Sequence, residues 1–478
     1  MASSIKKNYV LNLFFQLGNI ILPLVTIPYV SRIFLPSGIG EYSFADSIVQ
    51  YFLMASILGT SLYGQREIAF IRDNDKCKSS KFWEIFLLRL SSTLLVIVAY
   101  LVFVILCNLN LALYLAMGIM LINVIFDISW FYQGLEDFQI LAISNLLSKA
   151  ICVVLIFILI HEISDLPLYA ALVSGSSILG SAILWIGVRK ELIKVKLSQL
   201  RPFSNLKGSL ALFVPTVAIS VYVVLDKTMI GLISPDYLQN GYYEQAMKIS
   251  KATLIIVTSL GSVMTSRISY LYAKKATDEL YRNLYNSFKF VWTLSIPICF
   301  GLIGISSNLI PWFLGYDFIP AIPILNILSF LVIAIGVNNI TGAQILIPTN
   351  RTKQFTMTVV IGAIVNFILN LILIPILLAK GAAIASVTAE SSIAIIQLLL
   401  LRKELSLKRI IQSCYKNLIS GLIMLGALLL AAPNFEPSLI NTLILFCLGV
   451  LIYACGLIIL KDRFLFTLLG RISNPKER

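Results

Sequence analysis

Long apolar runs constrain the fold of this chain more than any other feature of its sequence. Each run is about 20 residues long, which is the length that an α-helix needs to cross the hydrocarbon core of a bilayer. Only helices and closed barrels satisfy every backbone amide inside a membrane, and these runs lack the alternation of barrel strands. The sequence therefore predicts an all-α polytopic membrane protein.

The composition agrees with this prediction and excludes several kinds of site. Of the 478 residues, 58% are hydrophobic and 13% are charged, and that charged fraction is about half of what a soluble domain carries. The seven cysteines form no CxxC pair, and the single histidine, His161, rules out His-paired metal sites and Ser–His catalysis. No Gly-rich phosphate-binding loop is present. We expect no catalytic residues, no metal site and no cofactor.

The apolar runs define about fourteen predicted transmembrane helices. The first run follows two lysines but extends too far for a signal peptide, so we interpret it as an uncleaved span. The predicted spans lie near residues 9–34, 41–65, 84–106, 111–133, 140–160, 166–188, 209–233, 243–266, 287–306, 320–346, 355–378, 381–401, 414–432 and 438–460.

The distribution of positive charge predicts the orientation of these spans. Nearly all of the 37 lysines and arginines lie at the termini or in loops on one side, whereas Arg32 and Lys380 lie on the other. Because cytoplasmic loops carry the excess of positive charge, we expect both termini in the cytoplasm. The loop at 133–138 departs from the trend, since it is acidic. The net charge of +14 therefore indicates membrane orientation, and we expect no nucleic-acid partner.

Two pairs of similar segments indicate an internal repeat. GEYSFADSI (40–48) and GYYEQAMKI (241–249) share the pattern G-x-Y-x-x-A-x-x-I. Each is predicted to follow an outer loop that contains proline, LPSG (35–38) or SPDYLQNG (234–241). The segment RKEL ends both the sixth and the twelfth span, at 189–192 and 402–405. Chance similarity between apolar segments is the alternative. Two pseudo-symmetric six-helix bundles and two extra C-terminal helices are predicted, with boundaries at residues 1–205, 206–410 and 411–478.

Ionisable residues inside the predicted spans are the candidates for function, because each costs at least about 2.5–3.5 kcal/mol to insert. The cations within spans are Arg89, Lys149, Lys227, Lys248 and Lys251. The carboxylates are Asp46, Asp127, Asp226, Glu244 and Glu390.

Each of these residues also has a simpler interpretation. Arg89 lies near a span end, where its long side chain can reach the headgroups, whereas the deeper Lys149 favours a cavity position. Glu244, Lys248 and Lys251 are spaced to share one helix face. The alternative is that Glu244 and Lys248 form a structural ion pair, which leaves Lys251 to be explained by an aqueous cavity.

Three further spacings are informative. Asp46 and Gln50 share one face of the second span, and Asn123 and Asp127 share one face of the fourth. Asp226 and Lys227 are adjacent in sequence, so their side chains point in different directions and need separate partners. Arg32, at the outer end of the first span, is either a flank residue or part of a cavity.

Positive charge spread through the depth of the membrane favours an anionic cargo, and phosphate is the commonest such anion. The carboxylates then serve as partners of the cations, or as sites for a driving H⁺ or Na⁺; these are Asp46, Asp127, Asp226 and Glu244. The predicted substrate-binding residues are Arg32, Arg89, Lys149, Lys227, Lys248 and Lys251.

Several motifs of this chain resemble those of the Wzx-type flippases for O-antigen or capsule repeat units, in the multidrug/oligosaccharidyl-lipid/polysaccharide exporter superfamily. The resemblance extends over essentially the whole chain. The motifs are PYVSRIFLPSGIGEYSFADSI (28–48), LYGQREIAFIRD (62–73), DISWFYQGLEDF (127–138), LDKTMIGLIS (225–234) and GYYEQAMKI (241–249). The positions that match the family are Arg32, Arg66, Asp226, Lys227, Glu244 and Lys248.

The resemblance implies a flippase that moves an undecaprenyl-diphosphate-linked oligosaccharide across a bacterial cytoplasmic membrane by alternating access. Coupling to an ion gradient, contact with membrane lipids and partnership with a polysaccharide polymerase and chain-length machinery are implied in the same way. Two alternatives remain open: a drug/ion antiporter of the same superfamily, for which Asp46 and Asp127 would be indispensable, and a membrane enzyme of polysaccharide assembly.

Overall fold

The chain folds into helices, as its apolar runs predict. A computed structural model describes residues 2–462, with side chains from residue 24 onward except 197, 214–223, 260, 262 and 263. Within that range the regular structure consists of α-helices, short 3₁₀ turns and one π-helix, without a strand. The chain divides into two compact units, Met1–Thr228 and Met229–Arg478, and each is described by itself.

Unit one contains seven helices and most of an eighth. The eighth, α8, continues across the division between the units. The bounds are α1 Ala2–Ile57, α2 Thr60–Ile71, α3 Asp75–Leu106, α4 Leu111–Phe126, α5 Ser129–Gly134, α6 Phe138–Leu159, α7 Leu166–Val188 and α8 Leu206–Ile233.

Unit two contains the remaining eight α-helices. A π-helix, Asn339–Leu346, follows directly on α12. The bounds are α9 Leu238–Ala273, α10 Thr277–Phe313, α11 Ala321–Leu328, α12 Leu331–Asn338, α13 Thr352–Leu377, α14 Ala379–Leu400, α15 Leu407–Ala431 and α16 Leu439–Ile459.

The prediction of an all-α polytopic membrane protein is confirmed. Eleven helical segments of the described chain are long and apolar enough to cross a membrane, and they coincide with predicted spans three to six and eight to fourteen. The first and seventh predicted spans correspond to the first part of α1 and to α8, where part of the side chains lie outside the described residues, and the second predicted span begins in the second part of α1.

The first predicted loop proved to be a single-residue break inside α1. Leu35 adopts φ 56° and ψ 176° between two helical stretches, and the following Pro36 explains why, since proline disfavours the α conformation in the residue before it. The prediction of a loop over 35–38 was therefore wrong. The second loop is also shorter than expected, because α9 already begins at Leu238 and leaves only residues 234–237 between helices.

Two predicted spans are interrupted. The span predicted for 41–65 stops at Ile57, because Leu58 and Gly59 both have positive φ angles, of 49° and 74°, and a new helix starts at Thr60. A Cβ atom on Gly59 would collide with the backbone of Ser209 and Phe213, so this break requires glycine. The span predicted for 320–346 consists of α11, α12 and the π-helix.

Two helices of unit two are far longer than a bilayer requires. Helices α9 and α10 contain 36 and 37 residues, which at 1.5 Å per residue gives each a length of about 54 Å. The hydrocarbon core is only about 30 Å thick. Arg267 of α9 forms an ion pair with Glu279 of α10 across the short connection between them. These two helices therefore form a hairpin that extends beyond the hydrocarbon core.

The tyrosines of the two similar segments make comparable contacts, each inside its own unit. In unit one, the ring of Tyr42 packs edge-on against Tyr169 of α7, with 5.1 Å between ring centroids. In unit two, the Tyr243 hydroxyl lies 3.0 Å from the Ser386 hydroxyl of α14. Helices α7 and α14 are the sixth and twelfth predicted spans. These contacts favour the repeat, while its boundaries at 205 and 410 remain a prediction.

Candidate functional site

The clearest cluster of predicted site residues lies in unit one, between α1 and α8. The Lys227 ammonium is 3.7 Å from an Asp46 carboxylate oxygen, and the Gln50 amide donates to the other oxygen at 3.2 Å. The Tyr51 and Thr228 hydroxyls are hydrogen-bonded at 2.9 Å. The shared helix face of Asp46 and Gln50 is thereby confirmed. We call these five residues the Asp46 cluster.

The Asp46 cluster remains partly accessible within its unit. The side chains of Lys227 and Asp46 are 18% and 19% exposed, whereas the neighbouring Asp226 is buried at 7%. A separation of 3.7 Å is an ion pair without a tight hydrogen bond, so Lys227 can exchange this partner for another anion at modest cost. The cluster thus places an accessible cation on a membrane-spanning helix.

A second pair lies on α9 in unit two. The Lys248 ammonium is 3.2 Å from a Glu244 carboxylate oxygen, as the spacing of four residues predicts. The Glu244 side chain is only 9% exposed, whereas that of Lys248 is 34% exposed. Lys251, one turn further, is exposed. The ion pair of the simpler interpretation therefore exists, and Lys248 and Lys251 still present positive charge beyond it.

Arg89 and Asp127 form the most enclosed of the predicted charges. Helix α4 ends at Phe126, and the Asp127 carboxylate accepts a bond from the Ser129 amide at 3.0 Å, which begins α5. The Arg89 guanidinium donates to the Asp127 carbonyl at 3.0 Å and to its carboxylate at 3.2 Å. Arg89 is 1% exposed, so within unit one it stabilises the break between two helices and does not extend outward to headgroups.

Two further predicted cations and one polar residue lie on other helical stretches of unit one. Lys149 lies on α6 and is half-buried, and Arg32 lies on α1 and is exposed, three residues before the break at Leu35. Asn123 accepts a hydrogen bond from the Ser181 hydroxyl at 2.8 Å, so its side chain is directed at α7.

Two polar networks were not predicted from the sequence. In unit one, Asn205 accepts bonds from Lys81 at 2.8 Å and from Tyr63 at 2.9 Å, and it donates to Glu84 at 3.2 Å. These residues come from three separate segments, so no local pattern in the sequence reveals them. Their bonds connect α2, α3 and the start of α8, which is a structural role.

The second network crosses unit two next to the π-helix. Glu390, a carboxylate singled out in the sequence, accepts a bond from Asn338 at 2.6 Å. Thr341 donates to Gln397, which in turn donates to Thr358 at 2.9 Å. A π-helix departs from the regular i→i+4 pattern of backbone bonds. Here the Thr341 hydroxyl also lies 3.0 Å from the Val337 carbonyl, and the Thr265 hydroxyl donates to the Ala343 carbonyl at 3.3 Å. Among the side chains described, the only helix of this kind therefore has polar support.

Asn366 and Asn370 of α13 are polar residues within a predicted span, where the sequence is compatible with either a sugar contact or a helix–helix contact. The Asn370 amide donates to the Asn366 carbonyl oxygen at 3.1 Å, and both side chains are fully buried. Within unit two they hold a helix contact and do not face open space.

Comparison with known proteins identifies the family of this chain and proteins of similar sequence. A family described as "Polysaccharide biosynthesis protein" matches residues 5–271. A protein of Escherichia coli (strain K12) named "Putative O-antigen transporter" is 24% identical over 418 residues, which is 84% of this chain and 97% of that protein.

Two solved structures share the fold. Lipid II flippase MurJ, in an inward closed conformation, superposes with a TM-score of 0.71 at 18% identity and covers 95% of this chain and 99% of its own. An inward-facing multidrug resistance MATE family transporter of the MOP superfamily gives 0.64 at 13% identity, over 84% and 95%. At these identities the likeness establishes the fold alone.

Proposed function

We propose that this chain, which belongs to the polysaccharide biosynthesis protein family, is a flippase for undecaprenyl-diphosphate-linked oligosaccharide repeat units. It moves them from the cytoplasmic to the outer leaflet by alternating access, for the synthesis of O-antigen or capsule. Similarity over 97% of a relative named as an O-antigen transporter and a fold shared with a lipid II flippase support the proposal. The chain is a multi-pass membrane protein, and we place it in the bacterial cytoplasmic membrane with both termini in the cytoplasm.

The observation that carries this proposal is the set of accessible lysines on membrane-spanning helices. Lys149, Lys227 and Lys248 are each partly exposed within their unit, and each costs free energy in a membrane unless it meets a partner. A diphosphate is a strong partner for ammonium groups, because charge-assisted bonds to phosphate are among the strongest in proteins. An uncharged or cationic cargo gives no comparable reason for these lysines.

The carboxylates beside these lysines keep the protein stable when no cargo is bound. Asp46 holds Lys227 and Glu244 holds Lys248, so each cation has a partner that the incoming diphosphate replaces. A displaced carboxylate is then free to take up H⁺ or Na⁺, which connects the cargo to an ion gradient. Membrane lipids, a polymerase and chain-length machinery are the partners that this role requires.

A drug/ion antiporter remains the second candidate, because the fold is also that of a MATE family transporter. That function makes the carboxylates, above all Asp46 and Asp127, indispensable and the lysines dispensable. A membrane enzyme of polysaccharide assembly is not retained, since the similar proteins named above are transporters and flippases.

Mass spectrometry of the lipid-linked precursor in a deletion strain tests the proposal. We expect complete repeat units on the lipid, confined to the inner side of the membrane, and restoration of surface polymer by the wild-type gene. Incomplete units would point to an enzyme. Normal surface polymer in the deletion strain, with altered drug resistance, would favour the antiporter.

A further inference from the structure

Unit two contains a long apolar groove lined by helices α10, α15 and α16, with Thr253 and Ile256 of α9 on one side. The cavity has a volume of about 410 Å³. Pro297 and Gly301 of α10, Met424 of α15 and Gly449 of α16 line its length, and Tyr453 lies at one end. We call it the apolar groove. Such a cavity suits a hydrocarbon chain, because its lining offers almost no hydrogen-bonding groups.

A polar cavity of about 270 Å³ adjoins the groove. Lys289 of α10, Lys416 and Asn417 of α15, and Asp462 after α16 are part of its lining, and Thr293 lines both cavities. We call it the polar basin. Two lysines against one carboxylate give the basin a net positive charge.

The boundary between basin and groove is well ordered by hydrogen bonds. The Tyr453 hydroxyl donates to the Asn417 side-chain oxygen at 2.6 Å, and Asn417 is only 2% exposed. The Lys416 ammonium donates to the Lys461 carbonyl at 3.0 Å, which holds its charge over the basin. The polar and apolar cavities therefore meet at a fixed point.

The dimensions of the groove match one leaflet of a membrane. Along α16 it extends from Phe446 to Leu457, which at 1.5 Å per residue is about 16 Å. Half of the hydrocarbon core is about 15 Å. On each of the three helices the basin lies at the same end of the groove. The basin residues precede the groove residues in α10 and α15, and Asp462 of the basin follows the groove residues of α16. A headgroup in the basin therefore places its chain at the depth of one leaflet.

We propose that an anionic phospholipid binds this composite site, with its phosphate at Lys289 and Lys416 and one acyl chain in the apolar groove. The basin alone would suit any small anion and the groove alone any chain, but their continuity selects a molecule that has both. The site goes beyond the proposed flippase activity, because none of the lysines assigned to the cargo lines the groove or the basin. On the predicted orientation, the bound lipid belongs to the cytoplasmic leaflet.

Native mass spectrometry of the full-length protein in detergent tests the headgroup end. The protein is mixed with phosphatidylglycerol or phosphatidylcholine of identical acyl chains, and bound lipid is counted. We expect phosphatidylglycerol to bind at least fivefold more tightly. The substitutions Lys289→Gln and Lys416→Gln should each lower that preference about fivefold, whereas Lys353→Gln, on the exposed first turn of α13, should not change it.

The groove end is tested with Gly301→Leu. A Cβ atom on Gly301 would meet only Met424, at 3.9 Å, so the new side chain has room to enter the groove. Gly426→Leu is the matched control, since nothing lies within 4 Å of that position and it is not part of the groove. We expect Gly301→Leu to reduce binding of both lipids about tenfold and Gly426→Leu to leave it unchanged.

Three results would overturn the proposal. Equal binding of the two lipids, unaffected by the lysine substitutions, would mean that the basin does not recognise phosphate. Unchanged binding in Gly301→Leu would remove the acyl chain from the groove. Displacement of phosphatidylglycerol by millimolar inorganic phosphate would mean that the basin binds a soluble anion. None of these measurements depends on transport, so their failure is distinct from failure of the flippase proposal.

Discussion

At the scale of single residues, exposure separates three ion pairs that the sequence presents alike. The pairs are Arg89–Asp127, Lys227–Asp46 and Lys248–Glu244, and the exposed fractions of their cations are 2%, 18% and 34%. An enclosed guanidinium cannot exchange its partner without leaving a bare charge in a low-dielectric interior. We therefore assign Arg89 to stability and the two lysines to cargo.

Replacing Arg89 with Ala should strongly destabilise the protein. The Asp127 carboxylate would lose its guanidinium, and because this carboxylate is 27% exposed we expect a cost of about 2–3 kcal/mol, below that of breaking a fully buried pair. Thermal unfolding of the purified protein in detergent measures the change. Arg66→Ala is the control, because Arg66 is 48% exposed in its pair with Glu67 and should cost at most about 1 kcal/mol. Equal midpoints for both variants would contradict a structural role for Arg89.

The lysines assigned to cargo should behave in the opposite way. Lys149→Ala, Lys227→Ala or Lys248→Ala should abolish surface polymer while leaving insertion and abundance near normal, because each removes a charge that the diphosphate needs. Polymer on the cell surface and protein in the membrane are measured together. Lys353→Ala, on an exposed helix end, is the control.

Substitution by arginine refines that test. Lys→Arg retains the charge and should preserve more transport where the role is purely electrostatic. If all three alanine variants export polymer at the wild-type level, the cationic site does not exist. If Asp46→Asn and Asp127→Asn are the inactive variants, the antiporter function is favoured.

Local spacing explains which of these pairs the sequence could reveal. Glu244 and Lys248 are four residues apart on one helix, and so are Asp46 and Gln50, so a helical periodicity predicts their contact. The contacts of Lys227 with Asp46 and of Arg89 with Asp127 depend on how separate helices pack. Sequence reasoning identified all four as charges in the membrane but not as partners.

At the scale of helices, the breaks escaped prediction because hydropathy does not depend on backbone conformation. The segment from 41 to 65 is predicted as one span although it contains Asp46 and Gln50, yet the positive φ angles of Leu58 and Gly59 end one helix and begin the next. Apolar side chains are equally compatible with a continuous helix and with an interrupted one. The requirement for glycine at the break becomes evident only from the close approach of Gly59 to the backbone of residues 209 and 213.

Gly59→Ala should lower stability by more than about 1 kcal/mol, because alanine at positive φ is strained and its Cβ would also meet backbone atoms. Gly426→Ala should have the opposite sign and stabilise by up to about 1 kcal/mol, since that glycine lies inside a helix with open space around it. Thermal unfolding of the two variants side by side measures this contrast. A stable Gly59→Ala protein would mean that the break tolerates a side chain.

At the scale of the whole molecule, the order of most spans was predictable, since crossing a bilayer requires only length and apolarity. Eleven of the fourteen predicted spans coincide with helices of the described residues that are long and apolar enough to cross a membrane. The contacts between helices were not predictable, because lipid-facing and helix-facing surfaces are both apolar.

An even number of spans places both termini on the same side of the membrane. A green fluorescent protein fused after residue 478 should fluoresce, and alkaline phosphatase at the same position should be inactive, because the positive charge of the loops retains this end in the cytoplasm. A phosphatase inserted after Lys380 should be active. The reverse pattern would overturn the predicted orientation.

The length of the hairpin of α9 and α10 converts a small tilt of these helices into a larger displacement at their far end. Each helix is about 54 Å long, and its far end is tied to its neighbour by Arg267 and Glu279. A tilt of only about 10° at the embedded end displaces such a rod by about 9 Å at its tip. The ion pair of Lys248 and Glu244 lies near the opposite end of α9 from Arg267. A cargo that alters this pair and tilts α9 would therefore move the end of the hairpin outside the membrane by a larger distance.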